Sequence, residues 1–136
     1  MAIRSLLFTP ATSARQVAKA LAGDTDGVIL DLEDSIAVAE KPQARLTARQ
    51  TLDGVAAPDA RPQIFVRVNG LTTPFAYDDL RTVVGSGLDG VIVPKTESAA
   101  QVESAMADAG AREASRYASR PASPPADWGT ISRSAP

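Results

Sequence analysis

Four times within residues 1–109, a short run of β-branched and aliphatic residues is followed by a segment with helical spacing. No other feature of the chain constrains its fold as much. Ser5-Leu6-Leu7-Phe8 is stopped by Thr9-Pro10. Ser13 then stands where it can cap a helix carrying Val17, Ala18 and Leu21 on one side, with Gly23 behind it. Gly27 to Asp31 is a second strand, and Lys41 to Leu52 a second helix. Ile64 to Val68 is a third strand, and Tyr77 to Val84 a short helix closed by Gly85 and Gly87. Gly90 to Pro94 is a fourth strand, and Ser98 opens a helix expected to end near Ala109. Strands joined by crossover helices pair in parallel. Continuous apolar strands fit a sheet covered on both faces.

Periodicity leaves two α/β architectures open: an open doubly wound sheet, or the first half of a (β/α)8 TIM barrel built from four βα units. The segment after the first strand, Thr9-Pro10-Ala11-Thr12-Ser13, lacks the glycine-rich phosphate loop of a dinucleotide-binding fold, which weakens the nucleotide reading. The chain has 136 residues, whereas a complete barrel takes roughly 250.

Residues 110–136 read differently. Six Ala, five Ser and four Pro stand among these 27 positions, with no Leu, Val, Phe or Met to bury. The chain therefore divides into a partial barrel domain over residues 1–109 and a low-complexity tail over 110–136. The tail is expected to be disordered, truncated or translated out of frame.

Composition limits the chemistry. Fourteen Lys and Arg against sixteen Asp and Glu give a net charge of −2, so nothing global draws the chain to nucleic acid or an anionic membrane. Zero cysteines exclude disulfides and thiolate metal sites, and zero histidines remove the commonest base and metal ligand. With no apolar run near the ~20 residues of a membrane span, the composition reads as that of a cytoplasmic protein. Carboxylates, Lys, Arg and Tyr must carry any reaction.

In parallel α/β folds the active face lies at the carboxyl ends of the strands. Strand two runs out into Asp31-Leu32-Glu33-Asp34. Alternation puts Asp31 and Glu33 on one face and Asp34 on the other. The third strand ends Arg67-Val68-Asn69, which places Arg67 and Asn69 together, and the fourth ends at Pro94-Lys95. Arg67 lies in an otherwise apolar strand, where an unpaired guanidinium is costly, so it requires a partner, internal or bound. Arg45 and Arg49 have the spacing of a solvated helix face.

The ordered series Arg4-Ser5-Leu6-Leu7-Phe8-Thr9-Pro10, Val28-Ile29-Leu30-Asp31-Leu32-Glu33-Asp34-Ser35, Lys41 with Ala44-Arg45, Val66-Arg67-Val68-Asn69-Gly70-Leu71-Thr72-Thr73-Pro74 and Val93-Pro94-Lys95 resembles the HpcH/HpaI aldolase and citrate lyase β-subunit family, malyl-CoA lyases included. The resemblance spans about residues 3–105. It implies a TIM barrel that makes or breaks carbon–carbon bonds in hydroxy acids, often as acyl-CoA thioesters, and homo-oligomers among full-length relatives. It also implies a magnesium ion held by a Glu and an Asp on the fifth and sixth strands, beyond the matched segment. No metal ligand is therefore assigned here, Glu113 included. By the same resemblance Arg67 is catalytic and substrate-binding, and Phe8 and Lys19 contact the CoA ester. Asp31, Glu33, Asp34, Asn69 and Lys95 stand behind them as supports. The reading is a truncated citrate lyase β-like lyase. Its alternative is a non-catalytic half barrel or assembly subunit with no activity of its own.

Overall fold

The computed structural model describes residues 3–117. Four strands, β1 (Leu6–Pro10), β2 (Gly27–Asp31), β3 (Gln63–Arg67) and β4 (Gly90–Ile92), alternate with four helices, α1 (Ala14–Leu21), α2 (Lys41–Gly54), α3 (Ala76–Val83) and α4 (Ala99–Tyr117). All neighbouring strands pair in parallel, and their spatial order is β1-β2-β3-β4. A doubly wound sheet would reverse its order at a switch point. This one does not, and the sequential order is that of a barrel's first four βα units.

Local chemistry accounts for the elements. The Ser13 side chain accepts a hydrogen bond from the Gln16 amide and caps α1. Pro42 falls in the first turn of α2, where its missing N–H costs nothing. The apolar runs become strands because each can bury one row of side chains under helices. Val28, Leu30, Ile64 and Val66 form that row and pack with Val17, Ala44, Ala48, Leu52, Leu80 and Val83 into one core. The opposite row of the sheet carries Phe8, Ile29, Phe65 and Ile92, and at its carboxyl end Asp31 and Arg67. Gly90 leaves room on that row for the Phe65 ring, since a Cβ there would lie 2.9 Å from the ring. At the amino ends of the strands, the Arg61 side chain is 7% exposed and bonds the Asp89 carboxylate and the carbonyls of Ala56 and Gly87.

Two expectations need correction. Strand β2 is buried throughout, but in β1 Leu6, Leu7 and Phe8 are 46–52% exposed, so not every strand is covered on both faces. The reason is position: β2 has a neighbour on each side, whereas β1 has only β2 among the described residues. The last helix does not end near Ala109 but continues to Tyr117. Ala111, Arg112, Glu113 and Ala114 are strong helix formers, and no proline intervenes before Pro121. The remainder of the expected tail, 118–136, lies outside the described residues. Among the described residues no helix is long and apolar enough to cross a membrane.

Gly87 fixes the turn into β4. Its φ is +82°, and a Cβ there would sit 2.0 Å from the Leu52 carbonyl oxygen. Left-handed backbone strain and a collision with main chain then add. Gly87→Ala is expected to cost roughly 3 kcal/mol or more in urea denaturation, well above the usual cost of a surface substitution.

Candidate functional site

Register builds the site. Asp31 at the end of β2 pairs with Arg67 at the end of β3, so the two side chains leave adjacent strands on the same face. The guanidinium grips the carboxylate at two points: Arg67 Nε donates to Oδ1 at 2.8 Å and Nη2 to Oδ2 at 2.9 Å. Three donors from the following turn complete the shell of Asp31. The Glu33 amide bonds Oδ1, and the Ser35 amide and hydroxyl bond Oδ2. Burial pushes the Asp31 carboxyl up, but bonds from Arg67, Ser35 and Glu33 outweigh it and hold the group well below the usual carboxylate range. Asp31 stays ionised at neutral pH and anchors Arg67, whose own pKa is raised by the bond to Asp31.

Glu33 lies beyond this pair. Its Oε1 is 2.9 Å from the Lys95 ammonium, and its Oε2 is 3.3 Å from Arg67 Nη1. Oε2 is buried and has no hydrogen-bond partner. Lys95 also approaches Asp34 at 3.6 Å. The bond to Glu33, with Asp34 nearby, raises the Lys95 pKa. Lys95 adopts a φ of 52°, a left-handed backbone that is uncommon for a residue with a side chain. The Phe8 ring lies 4.9 Å from the Arg67 guanidinium carbon, a cation–π contact. Phe8, Pro10, Asp31, Asp34, Ser35 and Arg67 line a crevice of about 460 Å³, so Asp34 shares it with Asp31 instead of taking the opposite face that alternation gave it.

Thus Asp31, Glu33, Arg67 and Lys95 meet at one rim with Asp34 beside them, and Phe8 joins through its ring. Lys19 does not join: it is exposed in the last turn of α1. Asn69 lines a cavity with Glu33, Asp34 and Lys95, but its hydrogen bonds go to Lys41, Leu32 and Asp79 rather than to Arg67. Its Oδ1 accepts from Lys41 Nζ, and its amide and Nδ2 donate to the fully buried Asp79. The buried Asp79 carboxylate needs donors and takes them from Asn69 and Arg45. Arg45 and Arg49 are accordingly not a solvated face. Arg45 pairs with Asp79, and Arg49 bonds the Val83 and Ser86 carbonyls.

Lys41 stands in the ordered motif series, but that series gives it no role at the site. It is 6% exposed and reaches the Leu32 and Glu33 carbonyls as well as Asn69. A signal was present: a lysine in the first turn of a helix opposes the helix dipole, so its ammonium has reason to bind elsewhere.

The described residues do not fit a magnesium ion. No group of three or more His, Cys, Asp or Glu among them could hold a metal. Asp31 has both oxygens committed to N–H and O–H donors, and Glu33 faces two cations. What the rim offers chemically is a rigid guanidinium. Five N–H donors belong to an arginine, and Asp31 takes Nε–H and one on Nη2. The Nη1 side makes no hydrogen bond but faces Glu33 Oε2 at 3.3 Å, so an oxyanion there would have to displace that carboxylate.

Breaking a buried ion pair strands the remaining charge and costs about 3 kcal/mol or more, so Asp31→Asn should destabilise the chain by that amount at pH 7. The sign with pH follows from the lowered pKa. Stability from Asp31 is full above its unfolded value, about 4, and fades as pH falls toward the folded value. Urea melts at successive pH values should show the gap between native chain and Asp31→Asn narrowing below about pH 4.

The HpcH/HpaI aldolase/citrate lyase family model matches residues 4–118. Citrate lyase subunit beta of Leuconostoc mesenteroides is 35% identical over 109 residues, covering 78% of this chain and 35% of that protein. A (3S)-malyl-CoA thioesterase of Cereibacter sphaeroides is 40% identical over 101 residues, covering 74% and 35%. This chain thus spans about a third of the length of the curated relatives it matches. Among solved structures, CitE from Mycobacterium tuberculosis in complex with magnesium, acetoacetate and coenzyme A superposes with a TM-score of 0.63 at 40% identity, covering 76% of this chain and 37% of that one. Sequence and fold agree, and the chain belongs to the HpcH/HpaI aldolase/citrate lyase family.

Proposed function

We propose that this chain carries the oxyanion-binding rim of a carbon–carbon lyase acting on hydroxy acids or their acyl-CoA thioesters. The observation that carries the reading is the two-point hold of Asp31 on Arg67. It fixes the guanidinium plane, and a substrate carboxylate, or the enolate-like charge formed as the bond breaks, would take the Nη1 side in place of the 3.3 Å contact with Glu33. A fixed donor loses little on reorganisation, which is why such a residue favours the transition state over the bound substrate. Lys95 adds positive charge at the same rim. Phe8, half exposed beside the crevice, and Lys19, exposed on α1, are the residues we assign to the CoA portion of a thioester substrate.

Magnesium accompanies acetoacetate in the M. tuberculosis protein, and magnesium dependence is part of the proposal. The described residues give the ion no seat. The resemblance puts the metal carboxylates on two further strands. An assembly subunit without activity of its own is the second reading, and the half-exposed Leu6, Leu7 and Phe8 on β1 favour it.

Titration calorimetry separates these readings. Magnesium alone is expected to show no tight binding to the 136-residue chain, and turnover of malyl-CoA by it should be slight. Oxaloacetate should bind weakly and through Arg67. Arg67→Lys keeps the charge but loses the planar fork, and should weaken binding about tenfold, or about 1.4 kcal/mol. Oxaloacetate affinity unchanged in Arg67→Lys would overturn the rim assignment. Tight magnesium binding would overturn the statement that these residues lack a metal seat.

A further inference from the structure

The Lys41 ammonium has three donors, and each is spent on a different acceptor: the Leu32 carbonyl at 2.9 Å, the Glu33 carbonyl at 3.0 Å and Asn69 Oδ1 at 2.6 Å. Two of these acceptors belong to the turn that serves the rim. The Glu33 and Ser35 amides of that turn hold the Asp31 carboxylate, and Glu33 itself carries the carboxylate that faces Arg67 and Lys95. The third acceptor, Asn69, lies just past the end of β3. It is locked by Asp79 of α3, and Asp79 in turn by Arg45 of α2. One continuous buried network therefore runs from two helices to the backbone beneath the site.

Glu33 needs such a hold. A buried carboxylate oxygen without a hydrogen-bond donor is unfavourable, and Glu33 Oε2 is one, 3.3 Å from Arg67 Nη1. A free turn would rotate that carboxylate toward solvent. With its own carbonyl and that of Leu32 bound by Lys41, the turn cannot do so without breaking the network.

We propose that Lys41 is a positioning residue: its ammonium fixes the 31–35 turn so that Asp31 and Glu33 hold Arg67 in one orientation. The reading of Arg67 as substrate-binding gives this its functional consequence. The positioning is tested without substrate, so failure of one does not imply failure of the other.

The chain has no cysteine, so Lys41→Cys can be alkylated in denaturant at that position alone and refolded. Alkylation with 2-bromoethylamine rebuilds an ammonium of lysine's length, and with 2-bromoethanol a neutral end of the same length. In protein labelled with 15N-arginine, hydrogen exchange at Arg67 Nε–H reports on the site. Exchange at Arg61 Nε–H, which bonds the Ala56 carbonyl at the other end of the strands, reports on the fold. The hydroxyethyl form should exchange Arg67 Nε–H about tenfold faster than the native chain while Arg61 stays unchanged, and the aminoethyl form should restore Arg67. Equal acceleration at both arginines would mean a merely structural lysine and overturn the proposal. Unchanged Arg67 exchange in the hydroxyethyl form, or no rescue by the aminoethyl form, would also overturn it. If neither form refolds, Asn69→Ser shortens the Lys41 acceptor: acceleration confined to Arg67 supports the proposal, and any other pattern overturns it.

Discussion

The contact between Asp31 and Arg67 depends on parallel pairing of two neighbouring strands in one register. A shift of β3 by one residue would turn Arg67 to the helix-covered face, where Val28, Leu30, Ile64 and Val66 leave no polar partner. The pair and the core therefore specify the same register from opposite faces of the sheet. Charged residues at strand ends are often solvated, but that does not hold for Asp31 and Glu33, which are 2% and 7% exposed. It does hold for Asp34, whose side chain is 66% exposed.

Around this pair, charge is arranged so that rigidity costs little. Three carboxylates and two cations share the rim, and each buried member has an opposite charge within salt-bridge distance. The Lys95 backbone is left-handed, a conformation in which glycine would be free of strain. A lysine there supplies what glycine lacks, an ammonium on Glu33. The opposite end of the sheet is tied by a separate cluster around Arg61 and Asp89, so the sheet is clamped at both ends of its strands.

Much of this was legible from residues close in sequence. The Ser13 cap, the proline at the start of α2 and the apolar runs of β2 and β3 are local signals, and they placed the strands and most helix bounds. The demand of Arg67 for a partner was legible too, since a guanidinium in an apolar strand has few alternatives. Asn69 reaches the rim's neighbourhood, lining a cavity with Glu33 and Lys95, but its bonding partner was not legible: beyond the end of β3 it is the buried Asp79 that accepts from its amide and Nδ2. Arg45 and Arg49 were misread for a related reason. Helical spacing tells which residues share a face, not which helix that face meets.

By itself, the sequence determined the alternation of strands and helices, the capping of α1 and the delivery of acids and bases to strand ends, because each follows from the short-range periodicity of the backbone. The family resemblance was also written there, in ordered motifs over most of the chain. Only the tertiary structure decided the pairing of Asp31 with Arg67, the burial of Lys41 and the exposure of β1. These depend on neighbours distant in sequence: β2 meets β3 across 36 positions at the Asp31–Arg67 contact, and Lys41 meets Asn69 across 28. No local pattern encodes such encounters; they follow from packing helices against one face of a parallel sheet.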